Sequence, residues 1–115
     1  MYFKKSELPA YYIGNIHDGN GEILYEEIIP KNNLPEKCQI CSFITLEPGQ
    51  SIGYHEHVDT TELYYLISGE AETIDDSTEL TLYPGDMTLT ANGQGHYLRN
   101  TSKEPCKLFI AAFKA

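Results

Sequence analysis

Short apolar runs separated by turn signals fill this chain, and no window carries an apolar stripe at helical period. "EILYEEII" gives way to "PKNNLPEK", "CSFITL" to "EPGQ", "LYYLI" to "SGE", "LTLY" to "PGD" and "MTLT" to "ANGQG". "KLFIAAF" closes the chain. Runs of this length and spacing, punctuated by Gly, Pro and Asn, predict an all-β sandwich or barrel. "ETIDDSTELTL" reads as a hairpin with Asp75, Asp76 and Ser77 at its tip, and "YPGD" at 83–86 as a tight turn. "YYI" at 11–13 begins a strand, so residues 1–12 are an arm or an edge strand, and "HDGNGE" at 17–22 is a loop.

Length narrows this further: 115 residues without a linker or low-complexity tract predict one domain spanning 1–115. Eight Lys+Arg against 17 Asp+Glu give a net charge of -9, which repels phosphate backbones and anionic lipid. Neither nucleic acid nor a membrane is expected as a partner. No run approaches the ~18 apolar residues of a membrane span, and "MYFKKSELPAYYIG" lacks the apolar core of a signal peptide. The expected location is cytoplasmic. Three cysteines make no paired disulfide framework. Strand alternation sends Cys38 and Cys41 of "CQIC" to opposite faces, so they read as reduced structural thiols.

The candidate chemistry lies in "HEHVDTTELYYLISG", residues 55–69. On a strand His55 and His57 share a face and Glu56 takes the other. "VDTT" is polar enough to turn, and a returning strand "ELYYLI" brings Glu62 beside the pair, with Tyr64 and Leu66 on its face. A buried carboxylate must be paired or coordinated, or else take up a proton. In "NGQGHYLRN" a glycine-rich turn leads into a strand on which His96, Leu98 and Asn100 share a face. These residues alone leave two readings open: a metal clamp, or strand histidines making ordinary hydrogen bonds. His17 reads as an exposed loop residue.

The same residues resemble the two motifs of the cupins, small jelly-roll barrels. The first runs Gly49, five residues, His55, Glu56, His57, four residues, Glu62, six residues, Gly69, with every spacing kept. The second runs Gly85, five residues, Ala91, Asn92, Gly93, two residues, His96, three residues, Asn100. Ala91 stands where proline is usual, which alters a turn and leaves the ligand positions intact. With the segment between them the motifs span 49–100.

The resemblance implies a double-stranded β-helix, or jelly-roll barrel, in which His55, His57, Glu62 and His96 hold one divalent metal ion. Three imidazoles and a carboxylate suit Mn, Fe, Ni, Co or Zn and match Ca poorly. It further implies an enzyme acting on a small oxygenated organic molecule, of decarboxylase, isomerase or dioxygenase type, or alternatively a non-catalytic metal-dependent binding module. Tyr64 and Asn100, sharing faces with ligands, are the candidate catalytic residues. Alternation turns Arg99, the one arginine, away from the site, and Lys103 and Lys107 read as solvated, which disfavours sugar phosphates. Tyr54 and Tyr97 point opposite to the ligands. Cupins of this type are often homodimers, so a homodimer is expected, with the tyrosine-rich opening either at its interface or packed as an edge strand on its own barrel.

Overall fold

Alternating residues need two sheets to bury their apolar faces, and the chain forms both. In the computed structural model, which describes residues 1–115, ten strands follow in order. They are β1 (Ala10–Gly14), β2 (Glu22–Glu27), β3 (Cys38–Leu46), β4 (Ser51–Glu56), β5 (Thr60–Ser68), β6 (Ala71–Asp75), β7 (Thr78–Leu82), β8 (Met87–Thr90), β9 (Gly95–Arg99) and β10 (Cys106–Lys114). Six form one sheet in the order β1-β2-β3-β10-β5-β8, and four form the other in the order β4-β9-β6-β7. Every pairing is antiparallel. The all-β fold is a double-stranded β-helix, as the sequence pattern and the resemblance predict.

The core lies between the sheets. Ile23, Ile44, Leu66 and Leu108 from the six-stranded sheet meet Ile52, Leu82 and Leu98 from the other, all of them buried. Each side chain of this size contributes about 1.5–3 kcal/mol on full burial. The predicted hairpin is β6–β7: Asp75 pairs with Thr78, leaving Asp76 and Ser77 as the tip, with Asp76 at φ 57°. The turn at 83–86 also forms, with Gly85 at φ 95° and the Asp86 N–H donating to the Tyr83 carbonyl at 2.8 Å.

β1 is an edge strand on its own barrel, paired with β2 so that Tyr11 lies opposite Tyr25. The Tyr11 hydroxyl donates to Glu27 at 2.6 Å, while Met1 and Tyr2 before it are exposed. No helix is long and apolar enough to cross a membrane.

Two sequence expectations are corrected. β4 and β5 are not neighbouring strands: the turn after His57 carries the chain from one sheet to the other. Glu62 therefore meets the histidines across the barrel interior. Cys38 and Cys41 also do not part to opposite faces. The β3–β10 register slips between the pairs Ile40–Ala112 and Cys38–Phe113, and this bulge cancels one step of alternation. Both cysteines line one apolar groove beside Leu63 and Phe109. All three cysteines are unbridged.

Candidate metal centre

His55 owes its inward orientation to a second bulge. In β4 Ile52 is buried opposite Leu98 of β9, and regular alternation from Ile52 would turn Tyr54 inward and His55 out. The β4–β9 register instead slips between Ile52 and His55, placing His55 opposite His96. Gly53 and Tyr54 take up the extra residue, and Tyr54 is left exposed. His57 lies just beyond β4, held by its N–H donating to the Gln94 carbonyl at 2.9 Å. The chain then turns at Asp59 (φ 58°), whose N–H donates to Asn92 Oδ1 at 2.7 Å, and Glu62 enters from β5. His96, fully buried on β9, stacks on the Tyr64 ring at 4.4 Å between centroids.

Three Nε2 atoms and one carboxylate oxygen converge. His96 Nε2 lies 2.9 Å from both His57 Nε2 and His55 Nε2. Glu62 Oε1 lies 3.0 Å from His96 Nε2 and 3.5 Å from His57 Nε2. One ligand atom from each of the four residues falls within 4.8 Å of all the others.

The opposite ring nitrogens are held from outside. His55 Nδ1 lies 2.8 Å from the Gly53 carbonyl, His57 Nδ1 2.7 Å from Thr60 Oγ1, and His96 Nδ1 2.9 Å from Thr90 Oγ1. A carbonyl only accepts, so His55 carries its proton on Nδ1 and turns the Nε2 lone pair inward. Hydroxyls at Thr60 and Thr90 can accept likewise.

Burial holds the His55 imidazole down at about 4, against the hydrogen bond to Gly53. Burial pushes the Glu62 carboxyl up, but hydrogen bonds and charge from His57 and His96 outweigh it and hold the group at about 2. At neutral pH the centre thus presents a neutral His55 and an ionised Glu62. Inward lone pairs crowded around a carboxylate repel one another unless a cation or shared protons lie between them. The donor set fits a divalent ion, with each imidazole oriented through its other nitrogen as metal-binding histidines generally are. The cluster is able to hold a metal ion, and with no thiolate among its donors it suits a borderline one.

Beside the cluster is a cavity of about 190 Å³ into which His55, Glu62 and Tyr64 face, with Tyr25, Ile40 and Ile110 among its walls. Burial, reinforced by the Glu62 charge, raises both tyrosine hydroxyls above their ordinary range, so they remain protonated donors. No lysine or arginine lines it. Arg99 lies outside, bonded to Glu72 at 3.1 Å and to the Tyr97 hydroxyl at 3.1 Å. Lys107 lies over the Phe43 ring.

His55, His57, Glu62 and His96 are therefore brought together, and Tyr64 stands against them. Asn100 is not. Its amide donates to the carbonyls of Leu46 (2.9 Å) and Glu104 (2.8 Å), and its oxygen accepts from the Ser102 N–H and hydroxyl. It fixes the turn before β10, which corrects its assignment as a candidate catalytic residue. Sequence reasoning gave no role to Thr60 and Thr90, and it left His17 in an exposed loop. His17 is exposed in that loop, and its ring also forms part of the cavity wall and stacks on His55, with ring centroids 3.9 Å apart. The local signal was Gly53, since a Cβ there would collide with the His17 carbonyl.

Two antiparallel sheets closing around an interior His₃Glu cluster define a small β-barrel of the metal-site kind. The chain belongs to the cupin family, whose "Cupin domain" matches residues 42–112. It is 30% identical over 101 residues to an oxalate-binding protein of Thermotoga maritima, covering 88% of this chain and 84% of that protein. A Thermotoga maritima crystal structure, of a predicted oxalate decarboxylase, superposes over the whole of both chains with a TM-score of 0.91 and 26% identity. A cupin-superfamily sugar phosphate isomerase from Silicibacter pomeroyi has a TM-score of 0.78 at 19% identity, over all of this chain and 76% of that one. This last likeness bears on the fold alone.

Proposed function

We propose that this cupin holds one divalent metal ion through His55, His57, Glu62 and His96, and with it binds a small dicarboxylate of the size of oxalate. The observation that carries the reading is the charge pattern of the cavity. His55 and Glu62 of the cluster form its floor, its other walls are isoleucines, protonated tyrosines and His17, and no lysine or arginine faces it. An anion entering this space has only a bound metal to meet its charge.

About 190 Å³ is below the roughly 300–1,000 Å³ of drug-sized sites, which favours a ligand of few atoms. When bound, the metal supplies Lewis acidity, drawing the ligand's oxygens and spreading their charge. Tyr25 and Tyr64 supply hydroxyl donors, Ile40 and Ile110 exclude water, and Thr60, Thr90 and Gly53 hold the imidazoles in orientation. The oxalate-binding relative from Thermotoga maritima supports the choice of ligand.

A second reading is turnover of the bound molecule, with decarboxylation the reaction suggested by the Thermotoga maritima neighbour. It is favoured by His17, an imidazole at the cavity wall, since histidine is the commonest general acid–base. Sugar phosphates remain disfavoured, because a phosphate group would find no arginine or lysine in the cavity.

Elemental analysis of protein purified without added metal, followed by calorimetric titration with oxalate, tests both parts. The expected result is near-stoichiometric divalent metal and oxalate binding that disappears after chelation. A folded protein that takes up no divalent ion on supplementation overturns the reading, as does oxalate binding unchanged by chelation. Release of CO₂ from oxalate would select the second reading.

We also propose that two copies pair. On the outer face of the six-stranded sheet, Tyr65 lies between Phe109 and Met87, and Leu63 between Ala111 and Leu89. Tyr65, Met87 and Leu89 are exposed, and an apolar stripe of this kind supports self-association. Sedimentation should show a dimer that Leu89→Asp dissociates; a wild-type monomer overturns the pairing.

A further inference from the structure

His17 is an exposed loop residue whose position is nonetheless fixed. It sits in the 3-10 turn Ile16–Asp18 with φ 50°, between Asn15 at 50° and Asp18 at 64°. Left-handed backbone costs free energy in any residue with a Cβ, and it persists where the surroundings impose it. Here the surroundings are β4. Asn20 exchanges hydrogen bonds with Ser51, its N–H donating to Ser51 Oγ at 2.9 Å and its carbonyl accepting from the Ser51 N–H at 3.0 Å. The Asn20 amide donates to the Gly49 carbonyl at 2.9 Å. The two backbones touch with no Cβ between them, because one on Gly53 would collide with the His17 carbonyl and one on Gly19 with that of Ser51.

This anchoring lays the His17 ring nearly parallel to that of His55, 14° between planes and 3.9 Å between centroids, as part of the cavity wall. Stacking alone would be met by any flat ring. An imidazole adds an N–H donor in either neutral tautomer.

We infer that His17 is a ligand-contacting residue, donating a hydrogen bond to the oxygens of a small carboxylate whose other end faces the metal cluster. The inference rests on the proposed metal-dependent binding of a dicarboxylate. A ligand held at one end from the cavity floor presents its remaining oxygens to the walls. There the polar atoms belong to Tyr25, Tyr64 and His17. The two tyrosines are buried on core strands, and His17 alone comes from a surface loop, which makes it the wall residue placed to discriminate among entering anions.

The test compares wild type, His17→Phe and His17→Gln, measuring divalent metal affinity and then oxalate affinity of the metal-loaded protein. Phenylalanine keeps a ring over His55 without a donor, and glutamine keeps N–H donors without the ring. His17→Phe should bind metal within about twofold of wild type and oxalate about tenfold more weakly, the effect of one lost hydrogen bond to a charged group. His17→Gln should recover most of the oxalate affinity. Wild-type oxalate affinity in His17→Phe overturns the assignment. Metal affinity that falls in His17→Gln but holds in His17→Phe, with oxalate binding following it, also overturns it by showing that the ring only buttresses His55. Wild-type protein that binds metal but no oxalate defeats the ligand reading itself, and this inference with it.

Discussion

Glu62 Oε1 stands 3.0 Å from His96 Nε2, although the two residues belong to different sheets, Glu62 to β5 and His96 to β9. An ion held between them joins the sheets across the barrel interior. The folded state then binds metal far better than the unfolded chain, and saturation stabilises by about 2.7 kcal/mol at one hundred times Kd. For a domain of this size that raises Tm on the order of 10 °C. Scanning calorimetry with excess Mn or Zn, and again after chelation, checks it. An unchanged Tm would mean that no ion links the sheets.

His96 and its hydroxyl partner Thr90 should separate ligation from orientation. Removing an imidazole donor by His96→Ala is expected to lower metal affinity by more than about 100-fold. Thr90→Val keeps the shape and removes the oxygen 2.9 Å from His96 Nδ1, and loss of such an orienting partner costs roughly 10–100-fold. Competition against a chromophoric chelator measures both, with circular dichroism verifying the β fold. Undiminished affinity in His96→Ala would remove it from the ligand set.

The strands were readable because burial on one face writes itself into alternate residues, as in Glu62, Tyr64 and Leu66 of β5. Motif spacing likewise marked all four residues of the cluster. What alternation lacks is any record of an inserted residue. Counting back from His55 would have turned Ile52 outward, yet Ile52 is core, and the bulge at Gly53–Tyr54 reconciles them. The bulge in β3 similarly defeated the parity argument for Cys38 and Cys41. Alternation also names a face without giving position along it. Asn100 shares the buried face of His96, but four residues at ~3.3 Å each put it roughly 13 Å farther along the chain. His17 was hidden for another reason: its position depends on backbone contact with Gly53, which side-chain patterning does not encode.

Metal-free protein should lose stability in two overlapping steps as pH falls. His55 is lowered from an ordinary 6.5 to about 4, mainly by burial. Between those values the unfolded chain binds the proton and the folded one resists it, so stability declines through this window. Glu62 is lowered to about 2 from 4.5; its contribution is full above 4.5 and is lost as pH falls through 2. For the half-buried His55, solvent screening reduces the change to on the order of 1–2 kcal/mol. Denaturant unfolding from pH 7 to 4 measures it, and His55→Gln should flatten that limb. A wild-type profile that is flat from pH 6.5 to 4 would contradict the assigned state of His55.

Asn100 should prove a stability residue with no part in the metal centre. Its amide serves the carbonyls of Leu46 and Glu104, and its oxygen accepts two hydrogen bonds from Ser102. Asn100→Ala strands buried polar groups at this turn, and each unsatisfied group costs about 1–3 kcal/mol. Asn100→Asp retains the acceptors but loses both donors, so it should be destabilised as well. In each variant metal affinity should stay within about twofold of wild type, because none of these bonds reaches His55, His57, Glu62 or His96. Denaturant midpoints and metal titrations on the same preparations separate the two effects. Metal or oxalate affinity that falls while stability holds would return Asn100 to the site.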